Sequence, residues 1–105
     1  MRVEVLYIDG CSSRDRLMPR LRELLDEQGV DAPVELVDVE SPDAAEEQRF
    51  LGSPTVRIDG VDVEPAVAER GDHGLTCRLY HHPDGTWHGV PADEWITEAI
   101  TRSSG

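Results

Sequence analysis

The hydrophobic and polar positions of the first forty residues indicate two strands with a helix between them. Residues 3–8 are nearly all apolar, which is typical of a strand buried on both faces of a parallel sheet. Leucines at positions 17, 21, 24 and 25 recur at helical spacing and predict an amphipathic helix that starts at Ser12 or Ser13 and stops at Gly29. Apolar residues at positions 34, 36, 37 and 39 predict the second strand.

The rest of the chain predicts a second helix, two more strands and a last helix. Ser41-Pro42-Asp43 is typical of a helix start, and this short helix is expected to extend to Phe50. Residues 55–58 predict a third strand that ends at an Asp-Gly turn, and residues 61–74 lack a clean period and predict a long loop. Alternation over residues 75–81 predicts a fourth strand, and the apolar spacing after residue 91 predicts the last helix.

These elements predict one α/β domain over residues 1–102, with residues 103–105 as a frayed end. Their order is β-α-β-α-β-β-α around a mixed four-stranded sheet that has a parallel core and an antiparallel edge. At 105 residues the chain has room for a single modest core and not for two.

Charge and cysteine content narrow the choice of partners. The chain has 22 acidic and 10 basic residues and a net charge of −12, so nucleic acid and an anionic membrane surface would repel it. We therefore expect the partner to be a protein, a small molecule or a metal ion. The sequence shows no signal peptide and no membrane-spanning stretch, which predicts a cytoplasmic protein whose two cysteines remain free thiols.

Three local features resemble the thioredoxin and glutaredoxin superfamily. Cys11 stands between the first strand and the first helix, where that superfamily has its first active-site cysteine. Pro19 matches the helix proline of thioredoxins in its spacing, and Gly52-Ser53-Pro54-Thr55 resembles the loop whose cis-proline faces the active-site cysteine. The resemblance implies a thioredoxin-like three-layer sandwich, in which Cys11 is a reactive thiol and Ser53, Pro54 and Thr55 line the substrate groove.

The chain departs from this superfamily at the second active-site cysteine. The usual C-x-x-C motif is replaced by Cys11-Ser12-Ser13-Arg14, so no disulfide can form within it. A helix N-terminus stabilises a thiolate, and Arg14 in the first helical turn would add to this effect if its side chain folds back. Two interpretations remain open: a monothiol that exchanges disulfides with a protein or a small thiol partner through Cys11, and a thioredoxin-like module that only binds. Neither interpretation requires a cofactor.

Cys77 is the candidate for a second thiol. Antiparallel pairing of the third and fourth strands would place it about 10 Å along the strand from the position opposite Pro54, beyond the reach of a disulfide. Its alternation with Leu75 and Leu79 predicts a cysteine packed in the core.

The C-terminal half is also similar to small actinobacterial proteins that carry a thioredoxin-like or alkylmercury-lyase label. The similar runs are G-S-P-T-V-R-I-D-G and G-L-T-C-R-L-Y. Organomercurial or soft-metal handling by Cys11 and Cys77 is therefore a further alternative, although the cysteine order and spacing of those lyases are not reproduced. The four histidines and Cys77 lack the short paired spacings of structural zinc sites, and we expect no bound metal.

Overall fold

The computed structural model describes residues 1–65, 67, 70–71 and 73–104, with residue 104 described by its backbone alone. Its elements in chain order are β1 (Val3–Tyr7), α1 (Ser12–Glu27), β2 (Val34–Asp38), α2 (Pro42–Glu47), β3 (Thr55–Ile58), β4 (Val61–Asp62), β5 (Tyr80–His81), β6 (Trp87–His88) and α3 (Asp93–Ser104). The three helices and the first three strands lie where the hydrophobic pattern predicts them, to within three residues at each end.

The main sheet is built around β1. This strand pairs in parallel with β2, with Val5 opposite Leu36, and antiparallel with β3, with Val5 opposite Val56. The short β4 pairs antiparallel with β3, so the strand order is β2-β1-β3-β4. The predicted α/β fold with a mixed four-stranded sheet is thereby confirmed.

The fourth strand of this sheet is not the predicted one. Asp59 and Gly60 have φ angles of 52° and 81°, so they form a two-residue hairpin turn and the chain reverses at once. As a result β4 occupies the edge of β3, within the segment predicted as a loop. Of residues 75–81 only β5 is a strand, and it pairs with β6 in a separate two-stranded sheet. The predicted pairing of residues 75–81 with β3 is therefore wrong.

Helices cover both faces of the main sheet. On one face, α1 and α3 pack against β1 and β3 through a single apolar cluster that includes Leu17, Leu21 and Ile96. On the other face, Leu6 of β1 packs with Ala45 of α2 and with Phe50. The sheet therefore forms the middle of three layers.

The helix ends follow local sequence signals. The Ser41 hydroxyl accepts a hydrogen bond from the Ala44 amide and caps α2, while Gly29 (φ 70°) has the left-handed conformation that follows the end of α1. α3 continues through residues 103 and 104, which were predicted to be frayed, and Gly105 lies outside the described residues. No helix of the described chain combines the length and the apolar character that crossing a membrane requires.

Candidate functional site

Cys11 occupies the N-cap position of α1. Its backbone is extended (φ −78°, ψ 107°), and its side chain makes no capping hydrogen bond. The Cys11 amide donates to the Ile8 carbonyl at 3.3 Å, which closes a tight turn between β1 and α1. Gly10 provides the positive φ angle of 81° that this turn requires. The thiol is consequently held at the end of a strand and at the positive end of a helix, with only 6% of the residue exposed.

Ser53 ties the Cys11 turn to a second loop. Its buried hydroxyl accepts a hydrogen bond from the Ile8 amide at 3.1 Å, and the Ser53–Pro54 peptide bond is cis. The Ser53 amide donates to the Thr76 carbonyl at 2.8 Å, and its carbonyl accepts from the Arg78 amide at 2.9 Å. The side chain of Ser53 thus contacts the segment that carries Cys11, and its backbone pairs with the segment that carries Cys77.

The structure corrects both expectations about Cys77. Cys77 pairs directly with Ser53 in a parallel bridge, one residue before Pro54, and does not lie three residues away along an antiparallel strand. The cysteine is exposed and so are Leu75 and Leu79, whereas Arg78 and Tyr80 are buried. The predicted core cysteine is therefore wrong. Both cysteines are free thiols.

A buried polar network fixes the back of the Gly52–Thr55 loop. The Thr55 hydroxyl donates to the Gly52 carbonyl at 2.6 Å and accepts from the Arg78 guanidinium at 3.0 Å. The same guanidinium donates to Asp62 at 2.8 Å and to Glu64 at 2.6 Å. Burial by itself would lower the pKa of Arg78, but Asp62 and Glu64 hold it above its ordinary value.

Tyr80 also holds the Gly52–Thr55 loop in place. Its hydroxyl donates a hydrogen bond to the Pro54 carbonyl, and its ring lies 4.3 Å from the Arg78 guanidinium carbon. Burial raises the pKa of Tyr80 well above its ordinary value, so the phenol is a neutral donor. The carbonyl of Pro54 is thereby oriented by a rigid neighbour.

Arg14 lies in the first turn of α1, with its guanidinium engaged by neighbours other than the thiol. It donates to the Asp15 carboxylate at 3.0 Å, and its guanidinium carbon lies 4.5 Å from the centre of the Tyr7 ring. The hydrogen bond to Asp15 raises the pKa of Arg14. Arg14 is therefore a cation at the start of α1 that is paired with its own neighbour Asp15.

An acidic groove borders the Cys11 turn. It has a volume of about 420 Å³ and lies at the carboxyl ends of the parallel strands β1 and β2. Its walls combine three carboxylates with three apolar side chains: Asp9, Asp38, Glu40, Ile8, Val39 and Leu75. The groove thus meets the Cys11 turn at Ile8 and Asp9 and the Cys77 segment at Leu75.

The histidines are used for local contacts. His73 lies 3.3 Å from the Glu46 carboxylate, His82 lies 2.8 Å from the Val90 carbonyl, and the His81 ring stacks on Trp87. Within the described residues no group of three or more His, Cys, Asp or Glu side chains is arranged to hold a metal ion.

The structure therefore gathers most of the predicted site residues at one end of the sheet. Cys11 and Arg14 start α1, and Ser53, Pro54 and Thr55 form the adjoining loop, with Cys77 backbone-paired to it. The sequence did not point to Arg78 and Tyr80, which hold this loop in place through hydrogen bonds to Thr55 and Pro54. In comparisons with known proteins the chain matches no family model, no curated protein and no solved structure.

Proposed function

We propose that this chain is a thioredoxin-like monothiol protein, which forms mixed disulfides through Cys11 with a protein or a small thiol partner. The observation that carries the proposal is the junction at Ser53. Its hydroxyl bonds to the Ile8 amide, and Ile8 in turn accepts from the Cys11 amide, so the Pro54 loop and the thiol belong to one hydrogen-bonded unit.

The arrangement of the elements supports the thioredoxin-like part of the proposal. The sequence resemblance implies a three-layer sandwich, and the hydrophobic pattern predicts the order β-α-β-α-β-β-α. The structure has the order β-α-β-α-β-β from β1 to β4, followed by the separate β5–β6 hairpin and α3, and Cys11 and Pro54 stand at the same end of the β1–β3 pair. Pro19 lies inside α1, as the resemblance also implies.

The chemistry follows from the position of Cys11 at a helix N-terminus. The first backbone amides of α1 have no intrahelical acceptor and, with the helix dipole, stabilise a thiolate at this end. The thiolate attacks one sulfur of the partner's disulfide, a new bond forms to that sulfur, and the other partner sulfur leaves as a thiolate. Because Arg14 replaces the second cysteine, an external thiol must then reduce the mixed disulfide.

A non-catalytic binding module is the second candidate, and the burial of Cys11 favours it. Only 6% of Cys11 is exposed, so most of the residue is covered by its neighbours. The same groove and loop would then hold a partner without any covalent step.

Single-cysteine variants distinguish the two candidates. Cys77→Ser leaves Cys11 as the thiol under test, and Cys11→Ser leaves the exposed Cys77 as a reference thiol in the same protein. We expect Cys11 to react with the neutral disulfide hydroxyethyl disulfide at pH 7 roughly tenfold faster than Cys77, measured by mass spectrometry of quenched samples. A Cys11 that reacts more slowly than Cys77 would support the binding module.

What happens to the mixed disulfide at Cys11 tests whether the protein works with a single thiol. In the wild-type protein, we expect the mixed disulfide at Cys11 to persist until an added thiol removes it. A protein that carries no adduct and is lighter than the starting protein by two hydrogens would instead show that Cys77 attacks the mixed disulfide. Cys11 and Cys77 would then work together as a dithiol. We place the reaction in the cytoplasm, since a reducing compartment keeps both cysteines as the free thiols described above.

A further inference from the structure

A larger cavity lies at the opposite end of the sheet from Cys11. Its volume is about 650 Å³, and its wall includes Ile58, which pairs with Val3 at the start of β1. Cys11, by contrast, follows the other end of β1. The cavity is therefore separate from the site proposed above and is not explained by thiol chemistry.

Arginines define the wall of this cavity. Arg49 follows α2, Arg57 lies in β3 and Arg102 lies in the last turns of α3, and all three line the cavity together with Arg70. Such a concentration of cationic side chains is unexpected in a chain whose net charge is −12. Apolar side chains from Ile58, Val61 and other residues separate the cations.

Three of the four arginines of this wall, Arg49, Arg57 and Arg102, differ from most others in the chain in what they contact, whereas Arg70 lies 3.8 Å from the Glu64 carboxylate. Elsewhere in the described chain arginines are paired with carboxylates, as Arg2 is with Glu35, Arg20 with Asp93 and Arg78 with Asp62. Arg57 donates only to the carbonyls of Gln48 and Arg49, and no carboxylate of the described residues forms an ion pair with Arg49, Arg57 or Arg102. Outside the cavity, Arg16 also forms no ion pair with a carboxylate of the described residues, and it donates to the Ser13 hydroxyl.

The acidic residues of the wall already have partners. Asp62 and Glu64 bind the buried guanidinium of Arg78, and the Asp59 carboxylate accepts from the Arg2 amide at 2.7 Å. They are therefore held by other groups, while Arg49, Arg57 and Arg102 retain donors for an additional anion.

Two further observations point to a ligand. Ser103 is one of the residues that line the cavity, and its hydroxyl is buried without a hydrogen-bond partner among the described residues. Burial lowers the pKa of Arg57, and the nearby carboxylates of Asp62 and Glu4 offset this effect only in part. An incoming oxyanion would accept hydrogen bonds from such groups and compensate their desolvation.

We propose that this cavity binds a small organic oxyanion, whose carboxylate or phosphate group is held by Arg49, Arg57 and Arg102. The apolar side chains of Ile58, Val61 and Ala99 then contact the non-polar part of the ligand. The proposal is independent of the thiol chemistry at Cys11.

Titration of the full chain followed by amide NMR tests this proposal with three probes. Hexanoate and hexyl phosphate distinguish a carboxylate from a phosphate, and hexanol provides the same apolar chain without charge. We expect one of the two anions to bind saturably and to shift the amides of Arg49, Arg57 and Ser103, and we expect hexanol to leave them unchanged. Saturable binding of hexanol with the same shifts, or no saturable shift with either anion, would overturn the proposal.

Variants assign the binding to the wall. Arg57→Gln and Arg102→Gln are each expected to weaken binding of the anionic probe about tenfold, since each loses a charge-assisted hydrogen bond. Arg16→Gln makes the same change of charge outside the cavity and should retain wild-type affinity. Arg102 is exposed, so its variant tests the proposal even where Arg57→Gln disturbs the fold. Equal affinity in all three variants would show that the probe binds elsewhere.

Discussion

Arg78 is the one charged residue that is buried within the described part of the chain. Its side chain is 1% exposed, and its carboxylate partners Asp62 and Glu64 are 14% and 17% exposed. A buried ion pair costs desolvation of both partners, and removal of one member leaves the other without compensation. The network connects the Gly52–Thr55 loop to β4, because Arg78 donates to both Thr55 and Asp62.

Arg78→Met is expected to destabilise the protein by about 3–5 kcal/mol, because it removes the buried cation that pairs with the partly buried carboxylates of Asp62 and Glu64. Urea unfolding monitored by circular dichroism measures this change. Arg20→Met is the matched control: Arg20 pairs with Glu23 and Asp93 on the surface, where ion pairs contribute at most about 1 kcal/mol. A loss at Arg78 no larger than at Arg20 would contradict the prediction.

Tyr80→Phe removes the hydrogen bond to the Pro54 carbonyl and keeps the ring. We expect a loss of about 1–2 kcal/mol at neutral pH from the unsatisfied buried carbonyl. Because the folded protein raises the pKa of Tyr80, its contribution is fully present below the unfolded value of about 10 and is lost as the pH rises above it. Unfolding of wild type and variant between pH 7 and pH 11 should therefore show a difference that decreases in alkali. A difference that grows above pH 10 would contradict this sign.

Residues 75–81 show why the sequence pattern predicted the wrong set of buried residues in this segment. Alternation separates Leu75, Cys77 and Leu79 from Arg78 and Tyr80, and hydropathy alone assigns the first set to the core. Arg78 is buried instead, because Asp62 and Glu64 supply partners from another part of the chain. A sequence read one segment at a time does not contain that information.

At the scale of elements, Gly52 determines how closely two segments approach. Its φ angle is 130°, and a Cβ at this position would lie 2.9 Å from the Cβ and 3.2 Å from the Cα of Arg78. Since the second of these atoms is backbone, the neighbouring segment cannot move aside without losing its pairing with Ser53. The absence of a side chain at residue 52 therefore permits the junction on which the proposed site depends.

Gly52→Ala is expected to destabilise the protein by about 1–3 kcal/mol, from overpacking and backbone strain together. Hydrogen exchange should also accelerate at the amides of Ser53 and Arg78, which bridge the two segments. Gly71→Ala is the control, since nothing lies within 4 Å of a Cβ at residue 71. Wild-type exchange at Ser53 in the Gly52 variant would show that the contact is not limiting.

The elements themselves could largely be predicted from the sequence. The apolar residues of β1 and α1 form clear strand and helix patterns. Ser41 marks the start of α2 because its hydroxyl caps the helix, and Gly29 marks the end of α1 because it adopts a positive φ angle. The fourth strand could not be found by period, since β4 has two residues and its position depends on the turn at Asp59 and Gly60. An Asp-Gly pair between two extended segments is a hairpin signal, and treating it as such would have placed β4 correctly.

At the scale of the whole molecule, charge is the property that extends beyond any one contact. The net charge of −12 produces a negative field, and the groove beside the Cys11 turn concentrates it, because Asp9, Asp38 and Glu40 line a space bounded by apolar walls. A field of this sign attracts cationic partners and repels anionic ones. On the proposed function, we therefore expect the partner of Cys11 to be selected partly by charge before any sulfur is in contact.

The reaction of Cys11 with disulfides of different charge measures this selection. In the Cys77→Ser protein at low ionic strength, we expect the cationic disulfide cystamine to react at least about tenfold faster than the anionic dithiodipropionate. Raising the salt to about 0.5 M should bring the two rates together, because the Debye length then falls to roughly 4 Å and the charges are largely screened. The double variant Asp38→Asn with Glu40→Gln should reduce the ratio at low salt, while Cys77 in the Cys11→Ser protein reports the effect of the net charge alone. Equal rates of Cys11 with both disulfides would contradict charge selection but not the proposed thiol chemistry. If Cys11 reacts with neither disulfide, the proposed thiol chemistry itself is contradicted.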